Sequence, residues 1–142
     1  MKISTKGRYA LRMVIDIAEH AEEGPVALRE SAQRTGISVK YMEQLAGQLT
    51  RYGVLRSTRG AHGGYSLSRP ATDITAGDIL RASEGSMATV ACLEEGAGIC
   101  PMRGECETVD FWTGLDRTIE SYVDSVSVDD MVRKRVRVPQ AG

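Results

Sequence analysis

The sequence predicts a mainly α protein with a small β-hairpin wing: a winged helix-turn-helix followed by a long C-terminal dimerisation helix. Three observations predict it. A short helical pattern, a glycine turn and a longer helical pattern succeed one another between residues 27 and 52. Two strand-like runs flanking a glycine-rich tip follow at once. Farther on, large apolar residues recur at helical spacing from about Thr108 to Ser125.

Residues 4–21 read as the first helix, capped by Ser4 or Thr5, with Ala10, Met13, Val14, Ile17, Ala18 and Ala21 at helical spacing and Gly24-Pro25 ending it. A second helix covers 27–34, with Leu28 and Ala32 on one face. Gly36 supplies the left-handed turn after it. Ser38 caps a third helix over 39–52, whose buried stripe is Met42, Leu45 and Leu49. Residues 54–59 and 65–68 form a hairpin around the tip Gly60-Ala61-His62-Gly63-Gly64, and Pro70 closes the unit. Thr75 caps a fourth helix through Glu84. Residues 85–107 are Gly- and Glu-rich without periodicity. The long helix carries Phe111, Trp112, Leu115, Ile119, Tyr122, Val123 and Val126 on one stripe, and a short helix follows Ser127. The expected division is 1–70 for a DNA-binding domain and 71–107 for a linking helix and cysteine loop. Residues 108–133 form the dimerisation helix and short helix, and 134–142 a disordered basic tail.

The chain of 142 residues, 42% hydrophobic, suits one compact domain or a small domain with an appendage. It has no apolar run long enough to span a membrane, and its start lacks the apolar core of a signal peptide, so a cytoplasmic location is expected. The net charge of −1 conceals an asymmetry. Residues 1–70 hold 11 Lys/Arg against 6 Asp/Glu, a net of +5, and residues 71–142 hold 7 against 13, a net of −6. A basic functional half joined to an acidic one results.

The third helix carries Lys40, Gln44, Gln48 and Arg51 opposite its buried stripe, side chains suited to base edges and phosphates in a major groove. Ser38 and Tyr41 sit at the helix start, where a phosphate is favoured. Glu43 can accept from a cytosine amino group or reject wrong sequences. At the hairpin tip, Arg59, Gly60 and His62 form a narrow basic arm fit for a minor groove. Seven large apolar residues on one lone helix have little core of their own to enter, so pairing with a second copy is expected.

Cys92, Cys100 and Cys106 are spaced C-x7-C-x5-C. Thiolates at this density select zinc, copper(I) or an iron–sulfur cluster, and the absence of C-x2-C knuckles weighs against a zinc ribbon. No His-Glu pair, convergent base or phosphate-binding glycine motif is present, so no enzyme is expected. A zinc-stabilised protein-interaction module is the competing class.

Taken together, Ser4-Thr5-Lys6-Gly7-Arg8-Tyr9-Ala10, Gly36-Ile37-Ser38, Tyr41-Met42-Glu43-Gln44-Leu45, Arg59-Gly60, Gly63-Gly64-Tyr65 and the three cysteines resemble a known family. It is that of the iron–sulfur-responsive winged-helix repressors of the IscR/NsrR/CymR type (the Rrf-two family), over residues 2 to about 133. The resemblance implies a homodimer on an inverted-repeat operator in double-stranded DNA, with Ser38, Lys40, Tyr41, Glu43 and Gln44 at the major groove and Arg59 with its glycines at the minor groove. It also implies that Cys92, Cys100 and Cys106 hold a [2Fe–2S] or [4Fe–4S] cluster whose state changes DNA affinity. The fourth ligand departs from the pattern. Where some relatives place a histidine, this chain has Val109, and where others place an acidic residue it has Arg8. Glu105, Glu107 and Asp110 are nearby oxygen candidates, Glu107 preferred, beside an exogenous ligand or an open iron site. Some members without a cluster sense through thiols or another partner.

Overall fold

The structure, a computed structural model, describes residues 2–98 and 104–141. Helix α1 spans Thr5–Glu19, and Ser4 caps it by accepting from the Lys6 N–H at 3.2 Å. Its buried face, Ala10, Met13, Val14 and Ile17, is the one the spacing predicts. The helix stops earlier than expected and passes through His20 into a 3-10 turn over Ala21–Glu23. Gly24 at φ 97° and Pro25 disfavour any further α turn there.

Helix α2 (Leu28–Thr35) ends on Gly36 at φ 77°, whose N–H reaches the Ala32 carbonyl at 2.9 Å. Leu28 and Ala32 pack against the core only in part, and the fully buried residue of this helix is Ser31. Helix α3 (Val39–Arg51) is capped by Ser38, whose Oγ accepts from the Tyr41 N–H at 3.2 Å, and it buries Met42, Leu45, Ala46 and Leu49.

Strands β1 (Leu55–Thr58) and β2 (Gly64–Leu67) pair antiparallel, Leu55 opposite Leu67 and Thr58 opposite Gly64. Gly64, expected in the tip, is thus the first residue of β2. Its φ of 152° and its contact with the Val26 carbonyl leave no room for a Cβ. Val26 and Tyr65 exchange two backbone hydrogen bonds, at 2.9 and 2.8 Å, which pin the root of the wing to the segment before α2.

Helix α4 (Ala76–Glu84) opens with a reciprocal cap between Thr75 and Asp78, and α6 (Val128–Val132) with the same device between Ser127 and Asp130. Between them runs α5 (Val109–Ser125). Backbone bonds from Ala76 to Val126 and from Val128 to Ile74, both 2.8 Å, join the starts of α4 and α6. The buried core takes in Ala10, Met13, Val14, Ile17, Met42, Leu45, Leu49, Val54 and Leu55, and also Ile74, Ile79 and Val128. The core therefore runs past residue 70, and α6 belongs to it by packing on α1. No residue of α5 is buried. Among the described residues no helix is long and apolar enough to cross a membrane.

Candidate nucleic-acid interface and cysteine loop

With one face of α3 sunk in the core, Lys40, Glu43, Gln44 and Arg51 are left exposed on the other. Gln48 differs from them. It is half-buried, and its Oε1 is buried without a hydrogen-bond partner. Seven residues bring a helix almost back to the same azimuth, so Gln48 lies two turns beyond Tyr41 on the same shoulder of the buried stripe. Tyr41 is half-buried too, its ring 5.7 Å from that of Tyr9 and edge-on at 85°. Ser38 spends an oxygen lone pair on the cap, which leaves its O–H for donation.

The tip between the strands runs from residue 59 to 63, closed by the Gly63 N–H on the Gly60 carbonyl at 3.0 Å. Arg59, Gly60 and His62 are exposed on it. His62 also lines a cleft of about 300 Å³ with His20, Glu23 and Glu30. That proximity of the chain's two histidines depends on the wing root and had no local sequence signal. His20 Nδ1 lies 2.8 Å from the Asp16 carbonyl.

The scaffold behind this face is tied by charge. Asp16, 7% exposed on α1, takes the Arg34 guanidinium of α2 on both oxygens, at 2.8 and 3.0 Å. Burial is the strongest single influence and works against its ionisation, but Arg34 together with the neighbouring Ser31 and His20 outweighs it and holds the carboxyl below its usual range. Arg81 of α4 and Asp124 of α5 form a second two-pronged pair, both contacts 2.8 Å, which raises the pKa of Arg81 and lowers that of Asp124. The Thr89 N–H donates to Asp116 at 2.8 Å. Helix α5 is therefore moored by carboxylates, while Phe111 (63% exposed) and Tyr122 (41%) show their rings to solvent.

Cys92 is an exposed free thiol on a 3-10 turn over Ala91–Leu93, and Cys106 a half-exposed one just before α5. The Cys106 Sγ lies 3.4 Å from Thr108 Oγ1, and the Thr108 hydroxyl, aided by backbone N–H groups at the start of α5, holds its pKa below the ordinary thiol value. Glu105, Glu107 and Asp110 are exposed beside it. Cys100 lies outside the described residues. Among those that are described, no three His, Cys, Asp or Glu side chains converge as a metal-binding group.

Two features escaped sequence reasoning. Tyr9 on α1 reaches Tyr41 at the start of α3, and Arg12, on the same helix, lies 5.9 Å from the Tyr9 ring centroid. Glu84, the last residue of α4, binds the start of α1. Periodicity found the buried face of α1 but says nothing about partners of its polar residues.

Similar proteins share this architecture. Protein rrf2 of Nitratidesulfovibrio vulgaris is 40% identical over 99% of this chain and 93% of its own length. The structure of CymR (YrzC), the global cysteine regulator of B. subtilis, superposes with a TM-score of 0.78 at 34% identity, over 94% of this chain and 98% of that one. T. potens IscR gives 0.75 at 36% identity, over 99% and 94%. The winged-helix fold expected from the sequence is thus the observed one. The family described as Rrf2, iron-dependent transcriptional regulator, matches residues 3–134, and with that coverage the chain belongs to the Rrf2 family of DNA-binding transcriptional regulators rather than to a family of enzymes.

Proposed function

We propose that this chain is a cytoplasmic homodimeric repressor that binds an inverted-repeat operator and is governed by an iron–sulfur cluster on Cys92, Cys100 and Cys106. The observation that carries the DNA reading is the exposed face of α3. Lys40, Glu43, Gln44 and Arg51 project from a helix whose opposite side is locked into the core, the arrangement a major-groove reader requires. Ser38 and Tyr41 at its start, Gln48 on its shoulder, and Arg59, Gly60 and His62 at the tip complete the surface. The uncovered apolar face of α5 supports the dimer, which would set two such helices against two half-sites.

The donor set of the loop fits a cluster in kind. Cys92 and Cys106 are free, solvent-accessible thiols in a polar loop, and soft thiolates suit iron–sulfur centres. Glu107, exposed one residue after Cys106, is our proposed oxygen ligand for the fourth position. A bound cluster would supply redox and ligand-exchange chemistry. The chain's own part is mechanical, because the loop runs from the end of α4 to the start of α5. A change of its shape would shift α5 and with it the separation of the recognition helices. A second reading, in which the thiols themselves are the signal, is favoured by the accessible Cys106 with its lowered pKa and by the likeness to a cysteine regulator.

Iron and acid-labile sulfide analysis with a visible spectrum on anaerobically purified protein, beside operator binding in loaded and apo forms, tests the proposal. Stoichiometric iron and sulfide together with a shifted affinity support it. Equal operator affinity of wild type and Cys100→Ser, with and without iron, would sink the cluster switch. Zinc alone, with no footprint on DNA, would favour an interaction module.

A further inference from the structure

The first half of α1 holds cations in places where a helix by itself would not favour them. Lys6 and Arg8 lie in the first turn, which has no acidic residue, so both oppose the positive end of the helix dipole. Arg8 and Arg12 are four residues apart, and like charges at that spacing repel. All three side chains are exposed, and among the described residues none has a carboxylate within ion-pair distance. The nearby Glu84 carboxylate is engaged with Ser4 and Gly7. Glu84 answers the helix dipole at that end, and what an external anion would relieve is the like-charge repulsion between Arg8 and Arg12.

The aromatic residues link this group of cations to the start of α3. The Arg12 guanidinium carbon is 5.9 Å from the centroid of Tyr9, a cation–π contact that steadies a long side chain. Tyr9 in turn packs edge-on against Tyr41 in the first turn of α3, 5.7 Å between centroids. These two contacts hold the guanidinium no more than about 12 Å from the Tyr41 ring, which stands in the first turn of α3.

We propose that α1 is a second DNA-contacting element, with Arg12, and Arg8 one turn before it, gripping backbone phosphates that flank the bases read by α3. This rests on the DNA-binding reading of α3 and extends it to a surface that positions the protein without reading sequence.

The test uses the full chain and duplexes recovered by selection from a random pool. Affinity is measured across a salt series for the wild type, Arg12→Gln and Arg12→Lys, on a selected duplex and on an unselected one. Arg12→Gln keeps most of the stem over Tyr9 and should melt with the wild type. It is expected to weaken both duplexes by a similar factor and to reduce the slope of log affinity against log salt by about 0.9, the value for one phosphate contact. Arg12→Lys is expected to keep the wild-type slope. An unchanged slope for Arg12→Gln overturns the inference, and so does a loss confined to the selected duplex. A wild-type chain that selects no duplex overturns the DNA-binding reading itself and the inference with it.

Discussion

Glu84, at the end of α4, caps the start of α1 by accepting from Ser4: the Ser4 N–H reaches its Oε1 at 2.8 Å and the Ser4 hydroxyl at 2.7 Å. The Gly7 N–H adds a third bond to the same oxygen at 3.1 Å. An anion there answers both the unpaired N–H groups and the dipole of α1. Gly85, at φ 81°, opens the cysteine loop directly behind it, so one residue joins the first helix to the root of that loop.

This cap explains Gly7 and makes a testable coupling. A Cβ at Gly7 would meet Glu84 Oε1 at 2.6 Å and Ile3 Cγ2 at 2.7 Å. Gly7→Ala is expected to destabilise the intact chain by about 1 kcal/mol, against the gain of similar size that Ala brings to a helix interior. In a Glu84→Ala background half of the collision is gone and the same change should cost less. Urea denaturation of the four proteins gives the coupling, and simple additivity would contradict the proposed contact.

Asp16→Asn tests the tie between α1 and α2. Removing the charge leaves Arg34 without its partner and is expected to cost about 2 kcal/mol at pH 7, the range for hydrogen bonds to charged groups, trimmed because Arg34 is one-third exposed. The folded pKa of Asp16 lies below its unfolded value. Its contribution is therefore complete above the ordinary carboxylate pKa near 4 and fades as pH falls through the lower folded value. Denaturation at pH 7 and pH 3 should show wild type and variant converging in acid. A gap of constant size would refute this account.

Gln44 and Lys40 should fail in different ways. Gln44 stands exposed one turn into α3, and Gln44→Ala is expected to relax base preference at one position of a selected duplex by about 1–3 kcal/mol. Lys40, in the first turn, should on removal weaken all duplexes alike and reduce the salt slope by about one. Competition binding with single-base variants separates the two. Identical profiles for both variants would mean that this face does not read bases.

The elements of this fold were legible because each carries its own local signal. Ser38 and Thr75 announce caps that the structure contains, the short helix expected after Ser127 is α6, and Met42, Leu45 and Leu49 announce the inner face of α3. What periodicity could not give were contacts across the chain. Gly64 reads as a loop glycine until Val26 is seen against it, and Ser31, which the spacing of apolar residues does not mark, is the residue α2 buries. The surface list was harder still. Gln48 shares a helical face with Lys40 by count, yet its amide oxygen is buried, and Tyr9 joins that surface only through packing between helices. Spacing reports which residues share a side, and only tertiary contact reports what stands in front of them.

The sharpest consequence concerns α5. Phe111 and Tyr122 are eleven residues apart, three helical turns, so they share a face, and both are exposed on a helix with no buried residue. Burying such a ring contributes roughly 2 kcal/mol, and a two-fold pairing that covers both in each copy would gain roughly 8 kcal/mol. Replacing both with Glu should leave the winged domain folded, because neither belongs to its core. In sedimentation velocity at micromolar concentration the wild type should run as a dimer and the double variant as a monomer. Operator affinity of the variant should fall toward the non-specific level, about a thousandfold or more, because one half-site cannot hold the protein alone. A variant that stays dimeric would mean that this face serves some other purpose.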